Sequence, residues 1–456
     1  MKALVLLSSL GVIALLAEIF SFKKLLYPIV LLGLITAFVL NIFDWDTNHT
    51  YFKMMQYDNY AVAFTGVIIV VAFLWFIMAE GFFKEETNLT DHFALVLFAL
   101  VGVVMMVSYN NMAMLFLGIE ILSIPMYILA GSNKTDVSSN ESAFKYLIMG
   151  AFATGFLLFG IALIYGATGS FDLSEIVNAV SSGTAAMSIF SVGVLLMLVG
   201  MAFKVSAAPF HFWAPDVYQG APTMITAFMS TIVKTAAFAA FLRLFSTTFM
   251  EVSGVWMNVV WVMAALTLLV GNITAVVQTS TKRMLAYSSV AHAGYMLLAL
   301  LAGNEYSNSA ILFYAAAYSI GSIATFCIVH IISTAKNSDG VDSFNGLAKT
   351  NPFLAIVMTI ALLSLAGIPP TAGFFAKYYI FTSAFVAGNV GLVLIAIIAS
   401  LIGVYYYFRL IIAMYFKESI GTEAVPVESN HKLLLLFIAI LIIAMGLFPD
   451  CVIKLL

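Results

Sequence analysis

Five ionisable side chains lie inside long apolar stretches of the sequence, where a charge is costly. Glu120 stands in the stretch LFLGIEILS, while Lys204, Lys234 and Lys377 stand in three further stretches. Lys145 lies about one turn inside another. A charged side chain at the centre of a membrane costs roughly 2.5–3.5 kcal/mol on insertion scales. We therefore expect these side chains to be paired, hydrated or partly neutral.

This imbalance between one acid and several lysines indicates proton transfer. Burial penalises the charged form of a lysine, so part of the set is expected to be neutral at working pH. Lysines that change protonation state can pass a proton along a row. Alternatively, Glu120, Lys204 and Lys234 are ion pairs that only specify helix packing. For Lys145 the simpler alternative is a stem that extends to the nearby interface.

His292, in SSVAHAG, is a further candidate for the relay. Histidine is suited to proton shuttling because its reference pKa is near 6.5. The alternative is a hydrogen-bonded packing residue, which is as frequent for a lone histidine in an apolar helix.

Prolines interrupt the stretches that carry two of the lysines. Pro209 follows Lys204, and Pro369-Pro370 precede Lys377. Proline has no N–H and frees carbonyl groups one turn back. Such groups are tolerated at membrane depth only where they face protein or water. The sequence therefore predicts a discontinuous helix and a hydrated pocket beside each lysine.

The whole sequence has the composition of an all-α integral membrane protein. Of its 456 residues, 63% are hydrophobic and 9% are charged, and the mean hydropathy is +1.07. A soluble domain has about 25% charged residues, and one span takes roughly 20 apolar residues. The stretches predict about fourteen spans, of which the seventh and twelfth are discontinuous, and a short surface helix over 172–181. The predicted spans are 3–20, 25–43, 60–79, 91–107, 110–131, 141–167, 186–218, 222–249, 254–278, 282–303, 306–334, 352–386, 389–416 and 431–449.

Several other classes of protein are excluded. The sequence has no basic cluster for nucleic-acid phosphates, and no glycine-rich nucleotide loop after a strand. Its two cysteines, Cys327 and Cys451, are far apart, whereas iron–sulfur and structural zinc sites need closely spaced ligands. We expect no cofactor, metal or nucleic acid to bind this chain.

Basic residues are unequally distributed between the two sides, which predicts the orientation. With fourteen spans both termini lie on one side. Ten basic residues fall on the side of the odd-numbered loops and four on the side of the termini, so we expect both termini outside. The ten are Lys23, Lys24, Lys84, Lys134, Lys282, Arg283, Lys336, Lys349, Lys417 and Lys432. The four are Lys2, Lys53, Arg243 and Lys454.

An internal echo links the two broken spans. FWAPDVY at 212–218 is similar to FFAKYYI at 374–380, and both follow a proline break. Because the two spans are five apart, they run in opposite directions. Such a relation is typical of inverted repeats with broken helices near a transport path.

The stretch GMAFKVSAAPFHFWAPDVYQGAP at 200–222 closely resembles the N-type antiporter-like membrane subunits of the proton-pumping NADH:quinone oxidoreductase, complex I. Three further stretches support this: ESAFKY at 141–146, TKRMLAYSS at 281–289 and GIPPTAGFFAK at 367–377. The resemblance extends from about the third to the thirteenth span. The first 60 residues contribute nothing to it.

The resemblance implies a fold of two inverted five-helix repeats, spans 4–8 and 9–13. The chain then divides into three N-terminal helices (1–90), two antiporter-like repeats (91–250 and 251–417) and a last helix (418–456). It also implies roles for the buried charges. Glu120 is the acid that pairs with Lys204, Lys234 is the central lysine, Lys377 serves the outward half-channel, and Lys145 is the lysine of span 6.

The implied function is proton translocation in the bacterial inner membrane, coupled to electron transfer from NADH to quinone. The chain would be a non-redox subunit of this translocase, inactive alone, with flavin and iron–sulfur clusters in partner subunits. Its partners would be other membrane-arm subunits, through them the peripheral redox arm, and the lipid bilayer. The alternative is a subunit of a standalone Na⁺/H⁺ antiporter, which PDVYQGAP at 215–222 disfavours. A purely structural scaffold is disfavoured by the buried charges.

Overall fold

The structure is a computed structural model, and it describes residues 1–85, 88–419 and 424–456. Thirteen helices in these ranges are long and apolar enough to cross a membrane. A fourteenth span consists of two shorter helices on either side of a break, so the predicted number of spans and the all-α class are confirmed.

Spans are numbered here in chain order. Spans 1 to 6 are Lys2–Ile19, Lys23–Ile42, Asn59–Met78, Leu89–Ser108, Met112–Ala130 and Val137–Thr168. Span 7 consists of Met187–Val205 and Trp213–Gly220. Spans 8 to 11 are Thr223–Thr248, Met250–Val276, Thr281–Ala302 and Glu305–Lys336. Span 12 consists of Pro352–Ala366 and Ala372–Val386, and spans 13 and 14 are Val390–Phe416 and Ser429–Leu447.

Short elements complete the described chain. A hairpin pairs His49–Tyr51 with Met55–Tyr57 in antiparallel register, with Thr50 opposite Gln56. The predicted surface helix is present as Leu173–Ser181. The other short helices are Glu80–Glu85, Val341–Phe344, Leu347–Thr350 and Asp450–Ile453.

Polar residues mark where several spans begin. Asp58, Asn111 and Asp136 each accept a hydrogen bond from a backbone N–H of the first turn of spans 3, 5 and 6. Asn304 forms a capping box with Ser307 at the start of span 11. These side chains satisfy amide groups that a helix leaves unpaired at its N-terminus.

Contacts between loops define two faces of the molecule. On the face of the odd-numbered loops, Ser280 contacts Asp339. On the opposite face, the N-terminal ammonium group lies 3.0 Å from Asp44 in loop 2. Near the other end of the chain, Cys451 lines a cavity together with Trp45, which lies beside Asp44 in loop 2. Both termini therefore lie on one face, as an even number of spans requires.

The packing of spans 4–8 recurs in spans 9–13. Span 4 packs on spans 5 and 8, and span 9 packs on spans 10 and 13. Close glycine contacts recur as well: a Cβ at Gly102 would lie 2.7 Å from the Gly118 carbonyl oxygen, and one at Gly294 would lie 2.9 Å from the Leu268 nitrogen. Small residues let membrane helices approach closely. Two inverted five-helix repeats predict this recurrence.

Spans 8, 10 and 11 occupy the interior. Their most apolar windows are 100%, 94% and 94% buried, against 33% and 28% for spans 1 and 2. The interior spans hold Lys234 and His292, so these two of the predicted site residues lie at the centre of the molecule.

Candidate functional site

The first half of span 7 ends one residue after Lys204. Ser206 adopts a left-handed conformation with φ +61°, and the helix resumes only at Trp213. The Trp213 indole donates to the Phe203 carbonyl oxygen at 3.0 Å. The predicted break is therefore present, and one carbonyl near the end of the first half-helix is satisfied by protein.

Lys204 is buried at this break and donates a short hydrogen bond to the Ser123 hydroxyl of span 5. Its ammonium group also lies 5.9 Å from the centre of the Tyr127 ring. Glu120 is half-buried one turn before Ser123, and its carboxylate accepts a 3.0 Å hydrogen bond from Thr154 of span 6.

The predicted direct pair between Glu120 and Lys204 is thus not formed in this structure. The two residues lie on spans 5 and 7, but a serine hydroxyl occupies the position next to the ammonium group. Glu120 and Ser123 are three residues apart and lie on nearly the same side of span 5. Ser123 is one turn farther along the helix axis, and it is this residue that contacts Lys204 at the end of the first half of span 7.

Lys234 is 2% exposed in the middle of span 8. A π-helical turn, Met229–Val233, directly precedes it. Such turns occur frequently at functional sites. The ammonium group donates two hydrogen bonds of 2.6 Å, to the carbonyl and the hydroxyl oxygen of Ser289 in span 10.

His292 lies one turn after Ser289 on span 10, between Lys234 and Lys377. Its Nδ1 is 2.6 Å from the Tyr314 hydroxyl and its Nε2 is 3.2 Å from the Tyr407 hydroxyl. Both ring nitrogens therefore have a partner that can donate or accept a proton. The ring is fully engaged in hydrogen bonds, as both the shuttle and the packing interpretation require.

Lys377 is buried just after the break of span 12. Its ammonium group donates to the Ala366 carbonyl oxygen at 2.7 Å and to the Ser400 hydroxyl at 2.8 Å, and it lies 4.9 Å from the Tyr295 ring centre. With His292 it lines a cavity of about 10 Å³, the size of about one water molecule. The cavity beside the break of span 12 is therefore small compared with the hydrated pocket that the sequence predicts there.

Lys145 occupies a different position from the other lysines. It forms ion pairs of 2.7 Å with Glu141 and with Asp216, and its side chain is 38% exposed. Asp216 also pairs with Arg283 of span 10 at 2.9 Å. These groups line a polar cavity of about 670 Å³ on the face of the odd-numbered loops. Lys145 is therefore in a surface ion network and not in the interior row.

The structure thus brings Lys234, His292 and Lys377 together around span 10, and it holds Lys204 against span 5 in the first repeat. Each of the three lysines is held by a serine hydroxyl from a neighbouring span. None of the three forms an ion pair with a carboxylate in the described part of the chain. The acceptors of the three ammonium groups in the described chain are therefore uncharged oxygen atoms.

Ser123, Ser289, Ser400 and Asp216 were not predicted as site residues. Serine is frequent in membrane helices, and its hydrogen-bond partner depends on neighbouring spans. Asp216 stands inside the stretch 200–222 that carries the family resemblance, and this was the one indication in the sequence that it belongs to the site. Among residues 1–85, 88–419 and 424–456, no group of three or more His, Cys, Asp or Glu side chains could hold a metal ion.

A fourteen-span helical bundle with two broken helices and an interior row of lysines defines an antiporter-like membrane subunit. Residues 109–403 match the family model described as NADH:quinone oxidoreductase/Mrp antiporter, transmembrane. The chain belongs to this family, and within it to the N subunits of NADH-quinone oxidoreductase.

Three known proteins illustrate the similarity. NADH-quinone oxidoreductase subunit N of Cytophaga hutchinsonii is 47% identical over 456 residues, covering 100% of this chain and 99% of the relative. A chain of respiratory complex I from Thermus thermophilus is 32% identical, with a TM-score of 0.86, and the match covers 99% of this chain and 98% of that one. A chain of the Mrp complex from Dietzia sp. DQ12-45-1b is 20% identical, with a TM-score of 0.89 and coverage of 99% and 95%, and shares the fold. The similarity therefore includes the first 60 residues.

Proposed function

We propose that this chain translocates protons as the N subunit of a NADH:quinone oxidoreductase and carries out no redox chemistry itself. The observation that carries the proposal is that three buried lysines are hydrogen-bonded, within the residues that the structure describes, only to serine hydroxyls and backbone carbonyls. A packing role would favour carboxylate partners, because an unneutralised buried charge is costly. The relatives from Cytophaga hutchinsonii and Flavobacterium psychrophilum, 47% and 43% identical, support the assignment to the N subunits.

In this mechanism Glu120 sets the proton affinity of Lys204 through its charge. Moving that charge away from Lys204, by a change in a neighbouring subunit, favours release of the proton toward Lys234. Two neighbouring ammonium groups repel each other, so a proton arriving on Lys234 favours release from the next carrier. Energy must come from the partner subunits, because outward delivery against the membrane potential costs about 2.3 kcal/mol per charge per 100 mV.

His292 connects the second and third lysines. It lies one turn from Ser289, the partner of Lys234, and lines the same small cavity as Lys377. Both ring nitrogens contact tyrosine hydroxyls, so one nitrogen can accept a proton while the other releases one. Lys377 then delivers the proton toward the outside.

Lys145 takes a supporting part in this proposal. Its ion pairs with Glu141 and Asp216 place it at the polar cavity on the face of the odd-numbered loops. Through that cavity water reaches the interior from this side. The ion pairs of Asp216 with Lys145 and Arg283 connect spans 6, 7 and 10 at its wall.

The chain is organised for this task in four parts. Residues 1–90 form the three N-terminal spans, 91–250 the first repeat, 251–417 the second repeat and 418–456 the last span. The recurrence of helix packing and of close glycine contacts between the two repeats supports this division. Lys204 and Lys234 belong to the first repeat, and His292 and Lys377 to the second.

The protein resides in the bacterial inner membrane, with the face of the odd-numbered loops toward the cytoplasm and both termini toward the periplasm. The excess of basic residues on that face supports this orientation. Flavin and iron–sulfur clusters are carried by partner subunits of the peripheral arm. The half-buried position of Glu120, beside the exposed Leu117 and Ile124 of the same span, allows a neighbouring membrane subunit to act on its charge.

Substitution of Lys234 tests the proposal in the assembled membrane complex. Lys234→Met preserves an apolar stem of similar size but removes the proton carrier. We expect proton pumping per assembled complex to fall at least tenfold while the complex still copurifies with its redox subunits. Lys134→Met, at an exposed position without an ion pair in the described chain, serves as the control and should pump normally. Normal pumping by Lys234→Met, or NADH oxidation by this chain alone, would overturn the proposal.

A further inference from the structure

The ammonium group of Lys377 lies over the ring of Tyr295, 4.9 Å from the ring centre. An ammonium group has three N–H donors, and in the described chain that of Lys377 donates to two oxygen acceptors, of Ala366 and Ser400. Tyr295 is 2% exposed, and Lys377 is buried too. A cation within about 6 Å of a ring centre is attracted to the ring face, most strongly where both groups are desolvated. The ring is therefore a third partner of the lysine charge.

Contacts with span 9 fix the position of the Tyr295 side chain. The amide nitrogen of Asn272 lies 3.5 Å from the Tyr295 hydroxyl. Asn272 itself donates to the Leu268 carbonyl oxygen at 2.8 Å and accepts from the Tyr406 hydroxyl at 3.1 Å. The backbone before Tyr295 is held as well, because Gly294 packs directly on Leu268. Both ends of the tyrosine side chain are thus held in place.

The same combination of residue types recurs in the first of the two proposed repeats. The ammonium group of Lys204 lies over the ring of Tyr127, 5.9 Å from the ring centre. Tyr127 is on span 5 and Tyr295 is on span 10, the second span of each repeat. The hydroxyl end of Tyr127 packs against span 6, where Gly150 leaves room for it. Each lysine beside a broken helix therefore faces a tyrosine ring from the corresponding span, at a longer distance in the first repeat.

We infer that Tyr295 is a positioning residue of the proton relay, whose ring face stabilises the charged form of Lys377. The inference rests on the proposed function, in which Lys377 must hold a proton and then release it. A carboxylate in this place would remain as an unpaired buried charge after the proton has left, which is costly. A ring is uncharged in both states of the lysine, so it favours the ammonium group without that cost. The alternative is a packing role, in which the electron density of the ring is unimportant.

Ring fluorination in the complete membrane complex tests the inference. Tyr295→Phe keeps the ring and should retain at least about half of the pumping per assembled complex, since a 3.5 Å contact is a weak hydrogen bond. Phenylalanine analogues with one, two or three ring fluorine atoms are then introduced at this position. Fluorine withdraws electron density from the ring face with little change in size, which weakens the attraction for a cation. Pumping should fall stepwise, and three fluorine atoms should leave at most about one third of the Tyr295→Phe value.

Tyr109 provides the matched control position. It is as buried as Tyr295, but no cation lies over its ring in the part of the chain that the structure describes. The fluorinated series at Tyr109 should therefore pump like Tyr109→Phe. An equal stepwise loss at both positions would assign the effect to packing and overturn the inference.

Two aliphatic variants distinguish a failure of this inference from a failure of the proposed function. Lys377→Met removes the carrier and Tyr295→Leu removes the ring, and both should lower pumping at least about fivefold. If Tyr295→Leu does not assemble, the fluorinated series still decides, because it preserves the shape of the ring. A defective Lys377→Met with a fluorinated series that pumps like Tyr295→Phe would overturn this inference alone, as would a Tyr295→Phe as defective as Tyr295→Leu. Normal pumping by Lys377→Met would overturn the proposed relay through this lysine and the inference with it.

Discussion

The ammonium group of Lys377 donates a hydrogen bond of 2.7 Å to the carbonyl oxygen of Ala366, the last residue in the first half of span 12. The last carbonyl groups of a helix have no partner within it and carry the negative end of the helix dipole. The break therefore supplies partial negative charge to a lysine that has only a hydroxyl, Ser400, as its other acceptor. The break of span 12 therefore provides a binding partner for the ammonium group of Lys377.

Gly367 is the residue that makes this contact possible. It has φ +84°, and a Cβ there would lie 2.7 Å from Cδ of Lys377. A left-handed conformation costs a residue with a side chain roughly 1–2 kcal/mol. We expect Gly367→Ala to displace the Lys377 ammonium group from Ala366, and so to lower proton pumping per assembled complex severalfold.

Gly388 provides the matched control for this substitution. It has nearly the same conformation, φ +83°, but a Cβ there would have no other atom within 4 Å. Gly388→Ala should therefore cost similar backbone energy and leave pumping unchanged. Pumping is measured as proton uptake or release in vesicles, normalised to the amount of assembled complex. Equal pumping by both variants would mean that the contact with Lys377 has no functional effect.

Asp216 joins the two repeats on the face of the odd-numbered loops, because it pairs with Lys145 of span 6 and Arg283 of span 10. A double-mutant cycle with Asp216→Asn and Arg283→Gln should give a coupling energy of about 1 kcal/mol, as these groups are partly exposed. The measurement is the thermal denaturation of the solubilised complex. Asp342→Asn, at a 75% exposed position 3.7 Å from Lys417, should change stability by less than about 0.5 kcal/mol. Additive effects of the first two substitutions would show that the bridge does not join the repeats.

The orientation in the membrane can be tested with the natural cysteines. Cys451 is exposed on the face of the termini, and Cys327 is buried. A membrane-impermeant maleimide should therefore label Cys451 from the periplasmic side only. In a Cys451→Ser background, Ser338→Cys, on the opposite face, should be labelled from the cytoplasmic side only. The reverse pattern would show that the excess of basic residues does not determine the orientation here.

The burial of charged residues within the spans was predictable from the sequence, but contacts between spans were not. The breaks lie where Pro209, Pro369 and Pro370 each remove a helix hydrogen bond, whereas Pro28 and Pro125 stand inside continuous helices. The burial of Lys204, Lys234 and Lys377 within their spans followed from their apolar surroundings.

The partners of the charged groups depend on the rotation of each helix about its axis. A span that is apolar all round has no periodic pattern that indicates which side faces its neighbour. The sequence also does not show which level of span 5 lies beside the end of span 7, so it did not distinguish Ser123 from Glu120, one turn away on the same side, as the contact of Lys204. It also placed Lys145 with the interior lysines, since Asp216 is 71 residues away along the chain.

The charge of Glu120 is the feature on which the proposed relay depends most directly. Its carboxylate does not bond to Lys204 but to Thr154, so the effect on the lysine is through the electric field. Glu120→Ala should leave the complex assembled, because the lost hydrogen bond contributes only about 1–3 kcal/mol. The positive charge on Lys204 then loses its stabilising acid, and we expect pumping per complex to fall severalfold. Lys204→Ala should have a similar effect by removing the carrier, while Glu120→Asp retains the charge and should be milder.

Thr154→Val separates the charge from the hydrogen bond. It removes the donor to Glu120 but keeps the carboxylate, so pumping should remain near normal if the electric field is what matters. Proton pumping and quinone reductase activity are measured together in membrane vesicles, since poor coupling lowers the first more than the second. A packing role for these residues predicts the opposite pattern, in which the variants assemble poorly but each surviving complex pumps normally. Full pumping by assembled Glu120→Ala and Lys204→Ala variants would remove both residues from the mechanism. If Thr154→Val were as defective as Glu120→Ala, the effect would depend on the position of the carboxylate and not on its charge.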